Sequence, residues 1–354
     1  MTSIRILVVI PTLNEADVVS SILDELSHDI PDRFDVLFVV ADGGSTDGTQ
    51  QIVQTIAKNR SDVLLVRNAR RLQSAGVNLA VQLHGRNRDV LVRCDAHALY
   101  PPGFIRKLVE TADRVGSQSV VVPMDTIGAS GVQKAIALLS NSPLGTGGSA
   151  HRGGRRGGFV DHGHHALMRI AAFEQAGGYD ETFSHNEDAE LDCRLRALGG
   201  QIYLDADLRL LYRPRATLRA LWTQYFNYGK GRSRTVRRHP KSLRLRQLAV
   251  PVVIGICILS LALAPFWPPL GLPAFGYLGA LVTASVVFAW RAKSLAGLLT
   301  GPSAFVMHTS WAFGFVVGFL TVPTSKWRVG DIPSTAPNDA GNTHLGQRDT
   351  TPAV

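Results

Sequence analysis

Two stretches decide the fold: residues 4–15, IRILVVIPTLNE, and residues 35–49, DVLFVVADGGSTDGT. Each is a short, β-branched apolar run that stops at a polar, turn-forming motif. Apolar runs of this length, without polar alternation, suit parallel strands buried on both faces. The pattern returns at Val63–Val66, Val90–Arg93 and Val120–Val122. Between the runs the apolar period changes. Val18, Val19, Ile22, Leu23 and Leu26, then Ile52, Val53 and Ile56, fall on single faces of helices. Such alternation implies βαβ units with right-handed crossovers, hence a doubly wound, mostly parallel α/β sheet. Ligands of these sheets collect beyond the carboxyl ends of the strands. The polar motifs stand there: Pro11–Glu15 after the first strand, Asp42–Thr49 after the second and Asp95–His97 after the fourth.

The chain changes character near residue 245. From Leu248 to Val322 its only Lys, Arg, Asp or Glu residues are Arg291 and Lys293. Leu248–Trp267, Leu270–Trp290 and Ser303–Val322 approach the roughly 20 apolar residues that cross a bilayer. Pro251, Pro265 and Pro273 do not forbid this, because membrane helices tolerate proline. The net charge of +9 is concentrated just before these runs, in Lys230, Arg232, Arg234, Arg237, Arg238, Lys241, Arg244 and Arg246. A juxtamembrane basic cluster favours the cytoplasmic side and anionic headgroups. No aromatic residues interleave with it as a base-stacking surface requires, so nucleic acid is not an expected partner. The three cysteines, Cys94, Cys193 and Cys257, are odd in number and far apart, which is no disulfide framework. The first apolar run, Ile4–Ile10, is too short and strand-like for a cleaved signal.

The expected organisation is therefore a cytoplasmic domain over residues 1–245, with a nucleotide-binding half to about 125 and an acceptor half from 126. Residues 246–325 form a membrane region of two to three apolar segments, and 326–354 a disordered tail. Two spans return Arg291 and Lys293 to the cytoplasm. A third would carry Lys326 and Arg328 outside, so the last run is expected to be re-entrant or interfacial. Gly145–Gly158, GTGGSAHRGGRRGG, is expected to be a mobile loop without regular structure. It serves either as a linker or, through Arg152, Arg155 and Arg156, as a flap over a phosphate-bearing ligand. Asp188–Leu198 is predicted to be a helix, anchored by Leu191, Leu195 and Leu198 and ended by Gly199–Gly200.

Taken singly, the acidic motifs are ambiguous. DGGSTDGT suits a tight turn and a helix capped around Thr46 or Asp47 as well as it suits a ligand. Asp95 and His97 can share one divalent cation with diphosphate oxygens and water, or be a solvated loop pair. Glu187-Asp188 can serve chemistry or merely a helix dipole. Asp161–His165, DHGHH, has zinc-like histidine spacing but no completing cysteine or carboxylate pattern. Packing, or for His164 an acceptor or leaving-group contact, are its other readings.

The combination is more specific. PTLNE, DGGSTDGT, the short acidic motif DAH and NEDAEL, in this order, resemble family 2 glycosyltransferases of the GT-A fold over roughly Ile4–Arg238. RCDAHALYPPGF, GGSAHRGG, GGYDETFSHNEDAELDCRLRALGG and FNYGKGRSRTV are closest to the succinoglycan-type glucosyltransferase subgroup of exopolysaccharide biosynthesis. The resemblance implies that Pro11, Thr12, Glu15 and Asp42 hold the base and ribose of a nucleotide-sugar, a UDP-sugar foremost, with Arg71 and Ser74 completing the pocket. It implies that Asp95 binds the donor through Mg²⁺ or Mn²⁺, with His97 where a second aspartate often stands. Asp188 is implied as general base, Glu187 as its neighbour, and a single displacement inverts the anomeric centre. The implied acceptor is a polyprenyl-diphosphate-linked glycan, whose diphosphate, or that of the donor, Lys230 and Arg232 would steady. Processive members carry Gln-x-x-Arg-Trp near the first membrane segment. YFNYGKGRSRTVRRH lacks that arrangement, which implies transfer of one hexose, glucose-like, per encounter. A nicotinamide enzyme is excluded, since PTLNEA replaces the Gly-x-Gly-x-x-Gly turn. A non-catalytic nucleotide-sensing domain regulating a membrane transport or export complex is the alternative, and it would not need Asp188.

Overall fold

The computed structural model describes residues 3–148 and 156–331. The first half of the α/β domain runs β1 (Ile4–Thr12), α1 (Val19–Ser27), β2 (Phe34–Asp42), α2 (Thr49–Asn59), β3 (Val63–Arg67), α3 (Gln73–His84), β4 (Val90–Arg93), α4 (Phe104–Val115) and β5 (Ser119–Val122). The second half adds β6 (Met124–Thr126), α5 (Gly131–Ser140), α6 (Pro143–Thr146), β7 (Gly158–Phe159), β8 (His164–Arg169), α7 (Ile170–Gln175), α8 (Glu187–Ala197), β9 (Ile202–Leu204), β10 (Leu210–Tyr212) and α9 (Leu218–Arg238). Three long helices follow among the described residues: α10 (Leu245–Leu263), α11 (Leu272–Ala292) and α12 (Thr300–Thr321).

Eight strands form one sheet in the order β3-β2-β1-β4-β8-β5-β9-β7. β1 to β4 are parallel to one another, while β8 runs antiparallel between β4 and β5. Both faces are covered, as the unbroken apolar runs require. Ile22, Leu23, Val53 and Leu108 pack on one face; Val77, Val81, Phe173 and Leu191 pack on the other. The reversed β8 has a consequence for the site. It brings residues some 70 positions beyond β4 back beside the carboxyl end of that strand.

Local expectations meet two corrections. Helix α2 starts at Thr49, with Gly48 in left-handed backbone (φ 98°) at its N-cap rather than Thr46 or Asp47. Asp47 still accepts the Thr49 amide at 3.0 Å and also the Ala16 amide at 3.0 Å, so it ties the two first loops together. The glycine-rich segment is not wholly irregular: Gly145 and Thr146 belong to α6 and Gly158 to β7. Arg152 and Arg155 lie outside the described residues, as does the tail from residue 332.

Among the described residues, three helices are long and apolar enough to cross a membrane, over Leu245–Leu263, Pro268–Ala292 and Leu295–Thr321. They are not equivalent. The first two are 11% and 17% buried within the protein, the third 44%. Helix α12 runs parallel to α9, with Phe226 against Gly314, Lys230 against Gly318, and Arg237 bonded to the Gly318 and Val322 carbonyls. The backbones nearly touch: a Cβ at Gly314 would lie 2.0 Å from the Phe226 carbonyl oxygen. Small residues permit that approach, as they do between membrane helices. A shared core of Ile136, Leu139, Leu221, Leu281, Ala304 and Met307 joins the second half of the α/β domain to the apolar helices. The division near residue 245 is thus a change of composition, while the packing is continuous across it.

Candidate active site

The carboxyl end of β4 and the start of β8 meet α8 around a cleft of about 550 Å³, into which Arg93, Asp95, His164 and Asp188 project. The first two loops are locked by Asp42. Its carboxylate, 1% exposed, accepts from the Gly44 and Ser45 amides, both at 2.9 Å. It accepts as well from the Ser45 hydroxyl, the Gln50 amide and the Thr12 hydroxyl at 3.2 Å. Five donors on one buried carboxylate shape the DGGS turn against Thr12. Pro11 pairs with Ala41 in the β1–β2 register, and Arg71, in left-handed backbone (φ 58°), lays its guanidinium beside Gly44. Ser74 is buried in the first turn of α3. The nucleotide set named from sequence is therefore assembled in one corner.

Asp95 follows β4 at the cleft wall. Gln73 Nε2 donates to its Oδ1, and the Tyr100 hydroxyl receives its backbone amide at 2.6 Å. Its carboxylate lies 3.6 Å from His164 Nε2 and 3.7 Å from Arg93 Nη2. Burial alone would raise its pKa; Arg93 first, then His164 and His97, hold it below the ordinary value. The imidazole within 4 Å of Asp95 is that of His164. His97, 57% exposed, instead sets Nδ1 3.1 Å from Glu15 Oε1.

Asp188 sits in the first turn of α8, after Asn186 in left-handed backbone (φ 66°). Leu191 and Leu195 are buried, as expected of the anchors of this helix. Asp188 Oδ1 takes a 2.5 Å bond from Arg93 Nη1 and lies 3.5 Å from His165 Nδ1. Its Oδ2 has no hydrogen-bond partner among the described residues, and the side chain lines the cleft. Burial raises the Asp188 pKa, but Arg93, His165 and His164 outweigh it and hold the carboxyl far below the usual range. Glu187 moves the opposite way. Burial and the neighbouring Asp188 charge push it up, so the two carboxyls are pulled apart in acidity.

Behind Asp188 stands a buried relay that the sequence reading did not assign. His165, with no exposed side-chain surface, bonds Asp192 Oδ1 through Nε2 at 2.8 Å and the Tyr179 hydroxyl through Nδ1 at 2.7 Å. Tyr179 also accepts from Arg93 Nη1 at 3.2 Å. Asp192 and Asp188 are one helical turn apart, so a single imidazole braces both. Burial lowers the His165 pKa, yet Asp192 and then Asp188 raise it on balance. Arg93 was visible in the quoted motif RCDAHALYPPGF. The signal was an arginine ending the buried run VLVR. Of DHGHH, His165 is structural support and His164 faces Asp95. Among the described residues no group of three His, Cys, Asp or Glu side chains forms a ready metal cage. His165→Phe keeps the ring volume but removes the brace, and is expected to lower kcat by up to roughly 10²-fold while donor KM changes little. Steady-state kinetics decide this: a merely structural role would lower the amount of active enzyme without altering the pH profile of kcat.

Of the remaining candidates, Arg232 lines the cleft. Lys230 packs its backbone on Gly318 of α12 and is not among the described residues that line the cleft.

The chain belongs to glycosyl transferase family 2, whose profile matches residues 7–177. It is 43% identical over 318 residues to the succinoglycan biosynthesis protein ExoA of Rhizobium meliloti, across 89% of this chain and 95% of that protein. The fold is also that of the mannosyltransferase PcManGT from Pyrobaculum calidifontis, solved with GDP-Man and Mn²⁺. That likeness has a TM-score of 0.57 at 19% identity, over 91% of this chain and 88% of the other.

Proposed function

We propose that the chain is an inverting, metal-dependent hexosyltransferase that adds one glucose-like sugar from a UDP-sugar to a polyprenyl-diphosphate-linked glycan in exopolysaccharide assembly. The observation that carries this reading is Asp188, with one oxygen anchored on Arg93 and the other left for a ligand in a cleft shared with Asp95. In the proposed step, Asp188 Oδ2 takes the acceptor hydroxyl proton as that oxygen attacks the anomeric carbon. The bond to the nucleoside diphosphate breaks on the opposite face, so an α-linked donor gives a β-linked product. Arg93 and His165 keep the carboxylate ionised and aimed. The relationship to the succinoglycan protein supports the pathway, and the Mn²⁺ in the mannosyltransferase structure supports the cofactor.

Mg²⁺ or Mn²⁺ fits the residues present. A hard cation needs only one or two side chains when substrate phosphates and water complete its shell, and Asp95 with His164 beside it, rather than with His97, supplies that number. When bound, the ion neutralises charge on the departing diphosphate. Asp95→Asn is expected to leave almost no transfer, and His97→Ala to cost less. Undiminished turnover of pure enzyme in excess chelator would refute the metal requirement.

The catalytic domain is proposed to face the cytoplasm, with α10 and α11 crossing as a hairpin. Helix α12 is proposed to stay with α9 near the surface, because α9 carries Lys230, Arg232, Arg234, Arg237 and Arg238, which hydrocarbon rejects. The protein should resist alkaline carbonate extraction. Cleavage at Gly145–Gly158 by protease added outside intact cells would overturn the orientation.

A further inference from the structure

One residue of the cleft wall has no part in the chemistry above. Gln73 opens α3 and turns its side chain to Asp95, where Nε2 donates to Oδ1. The amide nitrogen is the end that faces the carboxylate, because an ionised carboxylate only accepts. The reach is fixed from behind. The side-chain amide of buried Asn68 donates to the Leu72 carbonyl at 2.7 Å, and the Asn68 backbone amide donates to the Asp42 carbonyl at 2.7 Å. The start of α3 is thus tied to the DGGS turn. Asp95 is held too, since its backbone amide donates to the Tyr100 hydroxyl at 2.6 Å. The two oxygens of its carboxylate are therefore not equivalent. Oδ1 faces Gln73 and, at 3.7 Å, Arg93 Nη2. Oδ2 faces His164 Nε2 at 3.6 Å.

We propose that Gln73 is a positioning residue that sets the choice of ion: by engaging Oδ1 it leaves Asp95 a single oxygen for a cation, and so favours Mn²⁺ and Mg²⁺ over Ca²⁺. The role rests on reading Asp95 as the metal carboxylate. The physical reason is the shape of the coordination shell. Ca²⁺ takes more ligands in a looser arrangement and readily accepts both oxygens of one carboxylate, whereas the smaller Mg²⁺ demands near-ideal octahedral geometry. A carboxylate restricted to one oxygen suits the second kind of shell and handicaps the first. The donor is also neutral. An amide occupies Oδ1 without cancelling the charge that draws the cation, which a lysine or arginine in its place would do. Partners of this kind orient the ligand they touch and tune the ion it holds.

The test is protein-bound Mn²⁺, read by electron paramagnetic resonance on the full chain in neutral phosphatidylcholine nanodiscs at fixed UDP, and competed with Ca²⁺. Gln73→Met keeps the side-chain length and removes the donor. It should weaken Mn²⁺ by roughly 10–100-fold and Ca²⁺ by less, so that the preference for Mn²⁺ falls by about tenfold. Gln73→Glu cannot donate when ionised and adds a carboxylate, so it should shift the preference the same way by strengthening Ca²⁺. It holds the test open should the methionine variant misfold, and thermal unfolding without metal reports the folding of both. Asp95→Asn is the control for the underlying reading and should abolish Mn²⁺ binding. If that control loses Mn²⁺ while both Gln73 variants keep the wild-type preference, the metal reading stands and the role of Gln73 falls. Equal weakening of Mn²⁺ and Ca²⁺ in both variants also overturns it, by reducing Gln73 to a support of the loop. Undiminished Mn²⁺ binding in Asp95→Asn overturns the metal reading of Asp95 and the role of Gln73 with it.

Discussion

Asp188→Asn is expected to bind UDP-sugar with wild-type affinity and to transfer sugar roughly 10²–10⁴-fold more slowly. The substitution is nearly isosteric, and its carbonyl oxygen can still accept from Arg93 Nη1, the 2.5 Å partner of the native carboxylate. What disappears is the charge, and with it the basic oxygen offered to the acceptor hydroxyl. The nucleotide corner should not notice, because Asp42 and its five donors are closed on themselves. Arg93 would retain Asp95 at 3.7 Å as its remaining carboxylate, so some loss of stability accompanies the loss of rate. Calorimetry with donor and a transfer assay on the same preparation separate the outcomes. Transfer near the wild-type rate would reduce Asp188 to a helix cap and leave Glu187 as the candidate base. Loss of donor binding would make it structural. Glu187→Gln should be milder, since burial beside Asp188 already disfavours its charged form.

Glu190→Ala is expected to be the most destabilising single change in the catalytic half. Glu190 is fully buried, and its carboxylate receives Arg194 Nε at 2.9 Å and Nη2 at 2.7 Å. It also pairs with Arg238 Nε at 2.9 Å and His239 Nε2 at 3.0 Å. Arg194 is buried too, and holds the Ala176 carbonyl. Removing the carboxylate strands a buried guanidinium, a defect worth about 3–5 kcal/mol. A fall in Tm on the order of 10 °C follows, readable by thermal unfolding in detergent at fixed scan rate. The pH dependence carries a definite sign. Burial raises the Glu190 pKa, but His239 and Arg194 bring it down to about 2. A carboxyl depressed in the folded state contributes fully above its unfolded pKa, near 4.3, and the contribution fades as pH falls from there through about 2. The wild type should therefore lose stability on acidification over that window, and the variant should lose less. Because Glu190 joins α8 to the end of α9, its loss also loosens Asp188, one half-turn away.

The carboxyl-edge loops were legible because strand and ligand motif are contiguous: IRILVVIPTLNE and DVLFVVADGGST each carry a buried run and its terminal turn together. The helix bearing Asp188 was legible too, since Leu191, Leu195 and the Gly199–Gly200 stop are local signals. The sequence alone thus determined the layer order, the apolar helices, the basic cluster before them and the family. Only the tertiary structure decided which groups meet. Arg93 reaches Asp188 across 95 positions because β8 inserts antiparallel between β4 and β5, which no local periodicity announces. The same insertion turns His164 toward Asp95 and His165 toward Asp192, giving neighbours in sequence opposite tasks. Hydropathy likewise rated α12 as a third possible span, whereas its packing against charged α9 depends on Gly229, Gly314 and Gly318 lying in register. The physical reason is common to all three. Secondary structure and burial follow from short-range pattern, but pairing of charges and close helix contact depend on chain topology, which sums over the whole molecule.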